Sequence, residues 1–315
     1  MTIDSWDQWP LEQLEREYSP SSLAPDFLLT IKQYQTLSAQ AFSPPNRVAK
    51  VPYGMHPEEF VLVHCADKTL ADTAGYSVEN SADYSAEYSA AMRSSAQHCE
   101  PAATLVFIHG GYWQELSALD SMFGAQALAN LGINWAAINY GSAPNASLEL
   151  IVQRCKLALA ELAKRNPNSL FVLAGSSAGA HLVASLMADA GLMDTLGGRI
   201  AGAVLLSGVY DLEPLIDTYI NKAVGLTQHS ARQLSPMMQK FKCAFPVLIA
   251  YGERETNEFK RQSATFADYL RSFLVSTQSI EVANRDHFDI VFDMSDPDTA
   301  IGKSVSSWLS STAKT

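Results

Sequence analysis

Ser177 stands at the centre of Gly175-Ser176-Ser177-Ala178-Gly179, between the apolar run 170–174 and the helix-like stretch 180–189. A strand, a Gly-x-Ser-x-Gly turn and a helix, in that order, form a nucleophile elbow that lifts one hydroxyl clear of the strand end. Spacing selects Ser177 over Ser176. The pentapeptide alone is weak, because small residues also serve close strand-to-helix packing, so its partners must decide. A serine hydroxyl attacks a carbonyl carbon only when an imidazole takes its proton and a carboxylate holds that imidazole. The chemistry to look for is acyl transfer.

In this arrangement the acid and then the histidine follow the serine along the chain. His181, His229 and His287 are the histidines beyond Ser177. His181 falls four residues into the helix after the elbow and reads as packing, and His229 in Thr227-Gln228-His229-Ser230 reads as solvated. His287, in Arg285-Asp286-His287-Phe288-Asp289 after the last strand, is the candidate base. The acid should follow the apolar run 247–251, where Gly252-Glu253-Arg254-Glu255 offers two carboxylates. A Gly-x-x-acid count selects Glu255, with Glu253 as the fallback. The oxyanion needs backbone donors, and His109-Gly110-Gly111-Tyr112-Trp113 closes the run 104–108 where glycines let the backbone turn. Gly111, Tyr112 and the amide of Ala178 are the candidate donors. His109 is expected to brace the loop.

These residues need a frame. Runs 59–65, 104–108, 135–139, 170–174, 203–206, 247–251 and 279–282 read as strands. Stretches 116–131, 148–165, 178–189, 212–220, 231–240, 256–274 and 299–309 read as helices. Short apolar strands alternating with amphipathic helices imply a mostly parallel sheet covered on both faces. The expectation is one α/β domain over 1–315 with a helical N-terminal cap or arm over 1–45. Within the arm, 11–18 and 27–41 read as helices. Residues 66–102, rich in Ser, Ala, Asp, Glu and Tyr, carry few large aliphatics and read as a low-complexity insertion.

The formal charge of −11 over 315 residues argues against a nucleic-acid surface. No apolar run is long enough to span a bilayer, and the polar N-terminus does not read as a signal peptide. The chain reads as cytoplasmic. Four scattered cysteines, Cys65, Cys99, Cys155 and Cys243, suit reduced thiols. No zincin motif or phosphate loop is present, so neither a metal nor an organic cofactor is expected. A small-molecule substrate is the expected partner, and a homodimer is left open.

With these residues in hand, the chain resembles the kynurenine formamidase (arylformamidase) family of α/β-hydrolases. His109-Gly110-Gly111-Tyr112-Trp113 is similar to that family's oxyanion motif. Val51-Pro52-Tyr53-Gly54, Asn139-Tyr140 with Ala143-Pro144, Ser207-Gly208-Val209-Tyr210-Asp211-Leu212, Glu258-Phe259-Lys260-Arg261-Gln262-Ser263 and Asp286-His287-Phe288-Asp289 look like the same family. Glu255 stands where the family generally has Asp, and Gly141-Ser142 replaces its usual Arg-Leu or Gly-Leu. The resemblance implies an α/β-hydrolase fold with Ser177, Glu255 and His287 as triad. It implies hydrolysis of N-formyl-L-kynurenine to L-kynurenine and formate in tryptophan degradation. Trp113 and Tyr140 are expected beside the substrate ring. The alternatives are a carboxylesterase for short acyl or aryl esters and a non-catalytic binding protein on the same fold.

Overall fold

The computed structural model describes residues 6–43, 48–66 and 103–310. The expected insertion over 66–102 lies outside them, apart from Ala66. Eight strands form one sheet: β1 (Val48–Pro52), β2 (Phe60–His64), β3 (Thr104–Ile108), β4 (Asn134–Ile138), β5 (Phe171–Ser176), β6 (Ile200–Leu206), β7 (Val247–Arg254) and β8 (Thr277–Asp286). Their spatial order is β1-β2-β4-β3-β5-β6-β7-β8. β2 runs antiparallel to both β1 and β4, and every other pairing is parallel. Thr104–Ile108 is the strand that the sequence indicates, residue for residue.

The helices are α1 (Leu11–Glu17), α2 (Phe27–Ala41), α3 (Ala125–Ala129), α4 (Leu148–Arg165), α5 (Ala178–Met187), α6 (Ala190–Leu196), α7 (Asn221–Val224), α8 (Gln228–Leu234), α9 (Asn257–Ser272) and α10 (Ala300–Ser310). They cover both faces, because central strands point apolar side chains alternately up and down. Val106, Ile108, Leu173 and Leu205 face one core. Leu105, Phe107, Val172 and Leu206 face the other. The N-terminal arm serves both cores, with Leu14 and Tyr18 in the first and Tyr34 and Ala41 in the second.

Several expectations need correction. The stretch 116–131 is not one helix but a 3-10 turn, Ala118–Ser121, followed by the short α3. Leu116 adopts φ +65°, and Ser117 caps the turn by accepting from the Leu119 amide, so a continuous helix cannot start there. The stretch 212–220 holds only the 3-10 segment Glu213–Asp217, with Pro214 at its start. The stretch 231–240 breaks at Ser235 and Pro236 after α8. β1 was not expected. Its residues are half-buried rather than continuously apolar, and it ends in Pro52 at the sheet edge. Cys155 and Cys243 are free thiols, whereas Cys65 is disulfide-bonded and not reduced as expected. Isolated cysteines far apart in sequence leave no spacing pattern from which a bridge could be read.

Candidate active site

Parallel strands end together, so the loops after β3, β5, β6, β7 and β8 meet on one edge of the sheet. Ser177 occupies the tight turn between β5 and α5 at φ +56° and ψ −121°, a conformation rare outside glycine. The turn survives because its surroundings fix it. The Ser177 amide donates to the Leu206 carbonyl at 2.8 Å. A Cβ at Gly175 would lie 2.3 Å from the Gly179 carbonyl oxygen, and one at Gly179 would lie 2.0 Å from that of Ile108. Both glycines are therefore demanded by the approach of α5 to β5 and β3.

The loop after β3 passes directly beside this turn, since a Cβ at Gly110 would sit 2.8 Å from the Ser176 carbonyl oxygen. Gly111, Tyr112 and Trp113 take φ of +90°, +48° and +60° in succession. This left-handed run reverses the chain against Ser177. Ala178 is the first residue of α5, where an amide has no partner within the helix and the helix dipole favours negative charge. The three candidate oxyanion donors thus lie in two segments packed against each other.

Glu255 follows β7 immediately and is fully enclosed. Its Oε1 accepts from the Gly252 amide and from the Ser207 hydroxyl, each at 2.6 Å. Its Oε2 lies 2.9 Å from Nδ1 of His287, which follows β8. A buried carboxylate needs such partners to offset lost hydration. With Nδ1 facing the carboxylate, Nε2 is left as the basic nitrogen, an assignment that follows from the hydrogen-bond network. Phe259 sets its ring edge-on to His287 at a centroid distance of 4.4 Å. Glu253 is turned elsewhere, accepting at 2.8 Å from the Asn284 amide through its side chain.

Ser207, which spacing alone does not single out, adds a further member to the site. It lies fully buried at the end of β6 with φ +51° and holds the outer oxygen of Glu255. The available signal was its position, opening the loop after the strand between the serine and acid strands.

His109 braces its loop as expected. Its Nδ1 lies 3.0 Å from the Gly110 carbonyl oxygen and 3.0 Å from the Tyr140 hydroxyl, and the two rings stack at 4.1 Å. Burial pushes its imidazole down to about 4, so it is neutral at ordinary pH. His181 is packed as expected, with Nε2 on the Leu234 carbonyl at 2.9 Å, and burial takes it to about 4 as well. His229 is exposed. Trp113 and Tyr140 are both fully buried. Trp113 lies edge-on to His181, and Tyr140 stacks on His109.

Residues 105–290 match a family model described as alpha/beta hydrolase fold. The chain belongs to the alpha/beta hydrolase fold family. This hydrolase is 27% identical to a kynurenine formamidase of Salmo salar, over 94% of this chain and 95% of the relative. It is 25% identical to a kynurenine formamidase of Danio rerio, over 96% and 97%. The resemblance read from the sequence is borne out. Among solved structures, a Silicibacter protein superposes with TM-score 0.73 at 20% identity, over 93% of this chain and 98% of that one. An esterase of Pyrobaculum calidifontis gives 0.62 at 16% identity, over 96% and 97%. At those identities the structures speak for the fold of this alpha/beta hydrolase alone.

Proposed function

We propose that this hydrolase cleaves the formyl amide of N-formyl-L-kynurenine, giving L-kynurenine and formate, with Ser177, His287 and Glu255 as triad. The observation that carries the catalytic reading is the His287–Glu255 hydrogen bond at 2.9 Å, on the same edge of the sheet as the strained turn of Ser177. The substrate rests on the nearly full-length similarity to kynurenine formamidases. His287 takes the Ser177 proton through Nε2 as Oγ attacks the formyl carbon. The tetrahedral oxyanion is held by the amides of Gly111, Tyr112 and Ala178, each such donor contributing about 3 kcal/mol. The imidazolium, steadied by Glu255, then protonates the departing aryl amine, and the C–N bond breaks. Water, deprotonated by His287, attacks the formyl-serine and releases formate with Ser177 restored. An anilide nitrogen leaves more readily than an alkyl amine, so an esterase-like site suffices.

The deciding experiment compares turnover of N-formyl-L-kynurenine with that of p-nitrophenyl acetate. Efficient deformylation is expected. Brisk ester hydrolysis with no deformylation would overturn the substrate in favour of a carboxylesterase. Failure of a fluorophosphonate to label Ser177 would overturn catalysis altogether.

A further inference from the structure

The dipeptide Glu17-Tyr18, where α1 ends, touches both the oxyanion loop at Tyr112 and the start of α9 next to Glu255. The Tyr18 carbonyl accepts from the Tyr112 hydroxyl at 2.6 Å, a tie to the oxyanion loop. The Tyr18 hydroxyl donates to Glu258 Oε1 at 2.7 Å and accepts from Gln262 Nε2 at 2.8 Å, a tie to the first turns of α9. Gln262 in turn accepts from the amides of Tyr210 and Asp211 at 2.6 and 2.8 Å, which fixes the chain just beyond Ser207. The Glu17 carbonyl accepts from Thr256 Oγ1 at 2.6 Å, next to Glu255 in sequence. The Tyr18 ring meets Phe259 edge-on at 6.2 Å, and Phe259 packs against His287.

These contacts are built rather than incidental. Tyr18, Glu258, Phe259 and Gln262 are all buried. Glu258 is held by a bidentate pair from Arg261, at 2.7 and 2.6 Å, so its carboxylate cannot turn away to water. A buried network with every member paired fixes geometry, whereas removing one member leaves its partners unsatisfied. The oxyanion loop and the acid loop come from strands separated in the sheet by β5 and β6. Tyr18 reaches both.

We propose that Tyr18 is a positioning residue, setting the oxyanion loop at Tyr112 against the acid and histidine loops through Glu258, Gln262 and Phe259. It does not touch the reacting atoms. Its effect is on the relative placement of groups that do, where a displacement of about 1 Å can cost about a hundredfold in rate. The inference rests on Ser177, Glu255 and His287 being the triad, but not on the identity of the substrate.

The test uses the full chain and three variants. Tyr18→Phe removes the hydroxyl and keeps the ring and carbonyl. Tyr112→Phe cuts the other tie. Tyr269→Phe removes a hydroxyl bond to the Gln239 carbonyl near the C-terminal end of α9, away from the oxyanion, acid and histidine loops. Active sites are counted by fluorophosphonate titration, and kcat and KM are taken per titrated site with p-nitrophenyl acetate. A merely structural residue would lower the number of sites but not the rate of each. Tyr18→Phe and Tyr112→Phe are each expected to lower kcat about tenfold or more per site with KM within about twofold, while Tyr269→Phe stays at the wild-type value. Wild-type kcat per site in Tyr18→Phe or in Tyr112→Phe overturns the coupling. If Tyr18→Phe does not fold, Tyr112→Phe decides alone. If the wild-type protein itself is not labelled, the triad reading fails, an outcome distinct from loss of the coupling.

Discussion

Nδ1 of His287 and Oε2 of Glu255 lie 2.9 Å apart, and the other carboxylate oxygen is already occupied by two donors. The geometry leaves Glu255 one oxygen for the imidazole and no freedom to rotate. That makes the acid the most testable member of the proposed triad.

Glu255→Gln keeps the shape and removes the charge. The amide nitrogen it introduces would face either His287 Nδ1 or the donors at Gly252 and Ser207, and neither arrangement restores the tautomer or steadies an imidazolium. A fall in kcat/KM of about a thousandfold or more is expected. Glu253→Gln, whose exposed side chain accepts from the Asn284 amide rather than from His287, should stay within about threefold of wild type. Ester hydrolysis by both purified variants checks this, and the reverse ranking would assign the acid to Glu253.

Ser207→Ala removes one of the two donors to Glu255 Oε1 and leaves the Gly252 amide in place. A hydrogen bond to a buried charge contributes about 1.5–3 kcal/mol. The expected loss in kcat/KM is about 10- to 100-fold, falling mainly on kcat. An unchanged kcat would mean that the Gly252 amide alone holds the carboxylate.

The proposed serine and acid were legible because each follows a short apolar run at a fixed count, and the proposed base because it follows the last strand. Gly252 to Glu255 is such a count, and so is the elbow. Ser207 was not legible, because its role depends on β6 lying beside β7, a tertiary fact. Tyr18 was hidden further still, since its partner Glu258 is 240 residues away. The full burial of Trp113 and Tyr140 has no local signature, because aromatic residues near a site pack beneath it as readily as they line it. The stretch 116–131 looked helical by periodicity, yet Ser117 caps a 3-10 turn inside it, and a Cβ at Gly124 would meet the Trp135 ring at 2.4 Å. Close approach of a glycine to a ring from another strand leaves no local signature.

Gly179→Ala is expected to damage the elbow directly. The added Cβ would lie 2.0 Å from the Ile108 carbonyl oxygen and 2.7 Å from that of His109, both backbone atoms that cannot swing aside. α5 must then lift off β3 and carry Ser177 with it. A loss of more than about 3 kcal/mol in unfolding free energy is expected, together with loss of fluorophosphonate labelling. Full labelling at wild-type thermal stability would show that the helix has room the structure does not.

Stability should also fall on acidification, through two histidines outside the triad. His109 and His181 are buried and held down to about 4, against 6.5 in an unfolded chain. Between those values the unfolded chain takes up protons that the folded one refuses, so unfolding gains as pH falls. Each group can contribute about 3 kcal/mol to that loss, complete only near pH 4. Asp211 and Asp289 act in the opposite sense: burial raises their carboxyls, so the folded form binds protons first and gains stability on acidification. Both are only partly buried, so their effect is the smaller. The urea midpoint should therefore drop steadily from pH 7 to pH 4.5. A midpoint that holds constant over that interval would mean that the two imidazoles find water or partners in solution, and that their burial is looser than the structure places it.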